Sequence, residues 1–471
     1  MEHFNLSFLR SMLSTEYIEN TSKIRDDLER ERLNCKFHYE RIEFNKLKLW
    51  YKDSGGNLRH NTGKFFSIEG IKTSFKENND IIYQPIINQP EHGVLGLILK
   101  EINGVVYCLV QFKIEPGNIG NVQISPSVQA TKSNYTKVHN GKSVPYIEYF
   151  FEHPSVNIIY SQLQSEQGSK FYCKRNQNII VQLKPGEDIN LQQGYKWITF
   201  RQVTELLKFS NIINMDLRSI FSAVTFTEKP VSVNNFYEFI KKSGIAELGN
   251  SDFLFSSLNE DYAVHTLFEI RQWLQNKRDS HSLKTELVNL NNIFESNNWL
   301  ENEVGIYSPL NPNFEVNYLE VFARDREVST WSQPIVSDNN PKINGFLIKK
   351  INGVLHFLAK CCEEPGLFKG PEIGPTVHNS SSDDDLFISY FLQNNREGTV
   401  LYDQMLSEEG GRFFQTENRY MLVLTTEDVE IDNNDYMWMT LYQLKRLLEE
   451  ECNINVEART IISCVDFGES I

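Results

Sequence analysis

The chain has 471 residues, 40% apolar and 23% charged, and its 62 acidic against 47 basic residues give a formal net charge of −15. That length exceeds what one compact core organises, so two or three domains are expected. The acidic balance excludes a broad nucleic-acid surface, although a few cations can still set the field of a cleft for a small anion.

In chain order, apolar residues at three- and four-residue spacing predict a helical stretch over 4–31, followed by a β-rich body. Residues 93–114 read as a hairpin around Asn103–Gly104, the strongest short turn signal. Residues 111–150 form a long polar connection, a length usually reserved for function when aromatics such as Tyr135, Tyr146, Tyr149 and Phe150 persist. A strand is expected over 178–183, then a helix capped by Thr199 with Val203, Leu206 and Leu207 facing inward. The pattern then starts again, with a helical stretch over 252–277 carrying Leu267, Ile270, Trp273 and Leu274, and a hairpin over 345–361 around Asn352–Gly353.

The recurrence is a duplication. QPI at 84–86 returns at 333–335, INGV at 102–105 returns at 351–354, and EPG at 115–117 returns at 364–366, all at an offset of 249. SPSV at 125–128 returns as GPTV at 374–377, and Trp50 and Phe65 fall on Trp299 and Phe314. Further along the offset shortens to 242, where SEQGSKFY from 165 becomes SEEGGRFF from 407, and then to 241, where YKWITFRQVTELL from 195 becomes YMWMTLYQLKRLL from 436. Two homologous halves, 1–240 and 250–471, follow. Each is α+β, with hairpins in place of βαβ units, and neither carries a GxGxxG or GxxxxGK[ST] phosphate loop.

Seven cysteines without a CxxC pair or zinc-type Cys/His spacing predict reduced thiols and no structural metal. No run approaches the ~20 apolar residues of a bilayer span, and MEHFNLSFLRSML lacks the marks of a signal peptide, so a soluble cytoplasmic protein with no membrane or nucleic-acid partner is expected.

The strings EPGN…VQISPSVQATKSNYTKVH…PYIEYF, GNLRHNTGKFFSIEGI at 56–71 and QPIINQPEHGVLG at 84–96 resemble the NDP-hexose 2,3-dehydratases of 2,6-dideoxysugar biosynthesis. The resemblance covers nearly the whole chain. It implies a tandem duplication of a Nudix-like α/β domain with added N-terminal helices in each copy, a homodimer, and a nucleotide-sugar site in each half. The implied reaction is loss of water across C2 and C3 of dTDP-4-keto-6-deoxyglucose, giving a 3,4-diketo-2,6-dideoxy sugar that a downstream 3-ketoreductase consumes. No redox cofactor or metal is implied. Where the family's loop reads ATRSNY this chain has Lys132, which keeps the charge but not the planar fork of arginine.

A C4 ketone acidifies the C3 proton, so the reaction needs a base, a donor for the enolate and an acid for the departing C2 hydroxyl. Tyr135 is the candidate acid or enolate donor, Lys132 the phosphate ligand or base, and His139 a second base. Thr131, Lys132, Ser133 and Asn134, with Arg59 and Lys137, form the candidate pyrophosphate cluster, and Trp50, repeated as Trp299, offers an aromatic face to thymine. Ser165 is a further phosphate candidate, and Thr376, Val377 and His378 are the second-half members of the binding set. Bland roles compete: core packing for the two tryptophans, surface positions for His60 and His139, and a turn for the EPG residues Glu115 and Glu364. Lys132, Asn134 and Tyr135 fall on Ser381, Asp383 and Asp384 in the second copy, a run that repels a dianion, so chemistry is expected in the first half and a degenerate site in the second. A Nudix-type hydrolase would need a glutamate-rich REUxEExGU helix, which neither half contains; a non-catalytic nucleotide-sugar scaffold is the other alternative.

Overall fold

The computed structural model describes residues 5–75, 80–135, 143–227, 229–232, 235, 251–296, 298–323, 329–380, 386–392, 398–431 and 433–468. The duplicated sequence folds into two sheet-rich halves that repeat one order of elements, each with helices before and after the strands. No helix among the described residues is long and apolar enough to cross a membrane.

Local signals act as their chemistry requires. The hairpin Val94–Ile102/Val105–Ile114 turns at Asn103 and Gly104 with φ of 52° and 79°, and its repeat Ile343–Ile351/Val354–Cys362 turns at Asn352 and Gly353 with 52° and 82°. Positive φ at both central residues matches the strand twist, which Asn-Gly tolerates. Thr199 caps Phe200–Leu207 in a reciprocal box with Gln202, and Thr440 does the same with Gln443 for Leu441–Leu448.

The N-terminal helical stretches differ from expectation. In place of one helix over 4–31 there are two, Leu6–Leu13 and Thr21–Asn34, because Asn20 takes an extended conformation and its side chain accepts from Lys23 N, starting a new helix. In the second half Thr266 with Glu269 likewise starts Leu267–Ser280 after Ser251–Leu258.

Each half builds a mixed seven-stranded sheet in which the hairpin is flanked by a parallel neighbour: Arg175–Leu183 beside Val94–Ile102, and Glu417–Thr425 beside Ile343–Ile351. The other two sheets exchange strands between the halves. Phe37–Arg41 of the first half pairs antiparallel with Phe314–Ala323 of the second, and Leu283–Val288 of the second pairs with Ser67–Phe75 of the first. The same two-fold logic recurs in side chains. The Trp50 indole N–H donates to Ser332 O at 2.9 Å and that of Trp299 to Tyr83 O at 2.6 Å. Tyr160 donates to Leu448 O, and Tyr402 to Leu207 O, each at 2.7 Å.

The EPG turns make the closest crossing. Gly117 N donates to Gly410 O, and Gly366 N to Gly168 O, each at 2.7 Å. A Cβ on Gly117 would lie 1.6 Å from Phe413 O, and one on Gly366 1.8 Å from Phe171 O, so only glycine admits the approach. The largest core cluster accordingly runs through both halves, from Phe8 and Leu9 to Ile461 and Phe467.

Candidate active site

The strand exchange encloses a cavity of about 520 Å³ lined by both halves. The first half supplies Trp50, His60 and Phe65 as an aromatic wall, with ring centroids 5.4 Å apart for Trp50 and His60 and 4.7 Å for His60 and Phe65. The second half closes it with Trp331, Gln333, Glu409 and Arg412. Phe171 at the base packs edge-on against Phe413, its counterpart at the 242 offset, with centroids 5.6 Å apart.

The charged floor defines the chemistry. Glu115 follows the strand Val105–Ile114, Asp216 lies in the first turn of the helix Met215–Phe221, and Glu409 belongs to the repeated SEEGG segment. One oxygen of each lies within 4.8 Å of the others. All three are buried or nearly so, and three carboxylates at that spacing cannot all ionise in a poorly hydrated site. Burial, then Glu409, raises Asp216 well above the ordinary carboxylate range, and burial, then Glu115, pushes Glu409 up to about 7. Glu166, held by Asn176 Nδ2 at 2.7 Å, is also raised, chiefly by burial.

Cations offset this density. Lys113 Nζ donates to Gln129 O at 2.9 Å, and Arg412 Nε to Gln89 Oε1 at 3.2 Å. Lys174, whose ammonium donates to the Glu91 carbonyl, is pushed down to about 8 by burial. Glu115 Oε1 accepts from Gln129 Nε2 at 2.9 Å, but Glu115 Oε2 and Asp216 Oδ2 are buried without any hydrogen-bond partner. Such oxygens are completed by a proton, a water or a ligand, and these two face the cavity, unlike the similarly placed Glu372 Oε1 and Asp466 Oδ2.

Among the sequence candidates, Trp50, Thr131 and Asn134 line this cavity. Lys132 is exposed beside them on the short helix Lys132–Tyr135, and Ser133 is buried with its hydroxyl 2.9 Å from that of Thr131. Tyr135 packs 5.5 Å from the Phe151 ring, outside the cavity lining, with its phenol raised by burial and then by Glu91. Arg59 is not beside Thr131: it is ion-paired to Asp53 at 2.6 Å and to Glu69 at 3.3 Å. Ser165 donates to Glu372 at 2.5 Å and its carbonyl accepts from the buried Arg459, away from the cavity. Trp299 is 6% exposed within the core, outside both cavity linings. Thr376 donates to Leu358 O and accepts from Leu347 N at 2.8 Å, and Val377 is core. Lys137, His139, Ser381, Asp383 and Asp384 lie outside the described residues.

His378 occupies a second cavity of about 310 Å³ at the pseudo-equivalent place. There Glu364, Glu457 and Glu408 stand at the offsets of Glu115, Asp216 and Glu166, with His378 in place of Gln129.

Sequence reasoning missed the carboxylates. Glu115 takes part in the turn through its backbone and lines the cavity, while the turn's close crossing belongs to Gly117. The available signal was that both EPG and the SEQG/SEEGG segment, which carry Glu115, Glu166 and Glu409, recur in both copies.

A cavity with aromatic walls, cations and clustered carboxylates, two of them raised by burial and mutual repulsion, belongs to an enzyme of acid–base chemistry on a small polar molecule. A family model described as NDP-hexose 2,3-dehydratase matches residues 21–224 and 267–465. The chain is 35% identical over 443 residues to a dTDP-4-dehydro-6-deoxy-alpha-D-glucopyranose 2,3-dehydratase of Saccharopolyspora spinosa, covering 91% of this chain and 87% of that protein. It is 35% identical to one of Streptomyces violaceoruber over 91% of this chain and 93% of that one, and 33% identical to one of Amycolatopsis orientalis over 91% and 87%. The chain belongs to the NDP-hexose 2,3-dehydratase family.

Proposed function

We propose that the chain removes water across C2 and C3 of dTDP-4-keto-6-deoxyglucose in the first-half cavity, a reading carried by the two buried, unpartnered carboxylate oxygens of Glu115 and Asp216. With the C4 ketone drawing electrons, Glu115 takes the C3 proton and the C4 oxygen becomes an enolate. Lys174 and Arg412 supply positive charge for that oxygen. The enolate collapses as the C2–O bond breaks, and Asp216, kept protonated by burial, gives its proton to the leaving hydroxide, so one water departs. The resulting C2=C3 enol loses its hydroxyl proton and gains one at C2, giving the 3,4-diketo-2,6-dideoxy sugar.

Acid–base work thus moves from Tyr135, Lys132 and His139 to buried carboxylates, where desolvation sets the proton affinities. Thr131 and Asn134 at the cavity wall, with the exposed Lys132 beside them, hold the pyrophosphate, and Trp50 with Trp331 faces the thymine. Each half, 1–240 and 250–471, is a Nudix-like unit, the protein is a cytoplasmic homodimer, and a 3-ketoreductase consumes the reactive diketone. Incubating the purified protein with dTDP-4-keto-6-deoxyglucose and following the sugar by mass spectrometry tests the reaction. Loss of one water, or release of dTDP as the diketone breaks down, is expected; intact substrate in the presence of demonstrable binding overturns it.

A further inference from the structure

The second cavity has lost groups that the first uses. Lys113 is replaced by Cys362, Lys174 by Thr416 and Glu409 by Gln167, and the lining carries Asp338, Glu363, Glu364, Glu408 and Glu457 against Lys170 and Lys342. Lys170 is tied to Asp338 at 3.0 Å. Such a surround disfavours an anion and favours a cation.

At its centre three side chains converge. His378 Nε2 lies 3.4 Å from Glu457 Oε2 and 3.9 Å from Glu364 Oε1, and one ligand atom from each of the three lies within 4.8 Å of the others. Metal–ligand bonds of about 2.0–2.2 Å place neighbouring tetrahedral ligands about 3.3–3.6 Å apart, so small rotations bring this set to coordination distance. Two further observations point the same way. Glu457 is 2% exposed, and its Oε2 faces His378 Nε2 at 3.4 Å, with no hydrogen bond of ordinary geometry among the described residues. Glu364 is oriented from behind, because its Oε2 accepts from Gly168 N at 2.9 Å, and Asn379 Nδ2, 3.5 Å from Glu364 Oε1 and 3.1 Å from His378 Nε2, is the group an ion would displace.

We propose that Glu364, His378 and Glu457 form a binding site for one divalent transition-metal ion of the zinc type, with the fourth position open to the cavity. An imidazole with two carboxylates suits such ions better than magnesium or calcium, which take all-oxygen sets. The first half has three carboxylates at like spacing, Glu115, Asp216 and Glu409, but Gln129 where His378 stands, so only the second half offers the imidazole that a zinc-type ion prefers. Because Glu364 also grips Gly168, two residues from Glu166, the ion stands at the seam between the cavities and braces a segment that lines the first. Its role is structural and independent of the dehydration proposed above.

The test uses the full chain, stripped with a chelator and dialysed, then titrated with Zn²⁺ by calorimetry and with Co²⁺ by visible d–d absorption. One ion per chain is expected, with affinity falling at least about 100-fold in His378→Gln and in Glu457→Gln, a loss no smaller than that from removing a group that only orients a ligand. His378→Gln installs the residue type that the first half carries at this place, and circular dichroism with a thermal melt confirms folding. No uptake by the folded wild-type chain overturns the site. So does undiminished uptake by both folded variants, or uptake lost instead in Glu115→Gln.

Discussion

The two cavities lie at matching places in the two repeated halves and differ in the groups around a shared acidic pair. Glu115 and Asp216 in one, Glu364 and Glu457 in the other, come from the same EPG turn and the same helix start. In the first, Lys113, Lys174 and Arg412 gather about the carboxylates and an aromatic wall stands open to about 520 Å³. In the second, Trp299 stays in the core, His378 occupies the glutamine position, and about 310 Å³ remains. His378 is raised well above the ordinary imidazole range: burial pulls it down, but Cys362 and Glu457 outweigh that. Duplication kept the scaffold and the acidic pair, and divergence in the surrounding cations and aromatics separated an anion-accepting cleft from a cation-accepting one.

The largest expected effect that sharpens this contrast comes from the paired glutamates. Glu115→Gln should lower kcat by about 10³-fold, within the range for loss of a general base, while Glu364→Gln changes it less than about threefold. Equal losses in steady-state assays would break the assignment of chemistry to the first half.

Lys174 has no basic counterpart, since Thr416 stands in its place. Lys174→Met should cost about 10²-fold in kcat, as for one lost donor to a developing oxyanion. It also predicts the pH profile. The carboxylate set must lose a proton, so kcat/KM rises through about 7, the value of Glu409, and falls beyond about 8 as Lys174 becomes neutral. In Lys174→Met the limb near 8 should disappear and leave only the ionisation of the acid Asp216; an unshifted alkaline limb removes Lys174 from the reaction.

The tryptophans test binding against packing. Trp50→Ala should raise KM about tenfold, the scale of one lost base-stacking contact. Both indoles belong to one core cluster, so each truncation should destabilise the fold by about 3–5 kcal/mol, read by chemical denaturation, but Trp299→Ala should leave KM unchanged because only Trp50 lines the cavity. The smallest effect is at the exposed Lys132: Lys132→Ala should raise KM only a few-fold at low salt, with kcat unchanged, and the difference should fade as salt screens it. A collapse of kcat there would return Lys132 to the chemistry.

Much of the architecture was written locally. The repeat offsets gave two matching halves, Asn103–Gly104 and Asn352–Gly353 fixed the hairpins, and Thr199 and Thr440 started their helices, because turn sterics and caps act within a few residues. Asn20 and Thr266 carried the signals that split the N-terminal helices, yet apolar spacing ran through both breaks and hid them.

The site was legible only in part. Trp50, Thr131 and Asn134, chosen because their residue types suit aromatic and phosphate groups, line the first cavity. Arg59 and Ser165 looked equally suitable, and only their partners, Asp53 and Glu372, show them engaged elsewhere.

By itself, then, the sequence determined the duplication, the α+β elements and the family, all of which are recorded in neighbouring residues or in a fixed register. Tertiary structure alone decided that Phe37–Arg41 and Leu283–Val288 change halves, and that Glu409 and Arg412 reach Glu115 and Asp216 from far along the chain. That meeting depends on backbones crossing at Gly117 and Gly366 and on desolvation of the enclosed carboxylates. Both are properties of packing, which no periodicity along the chain encodes.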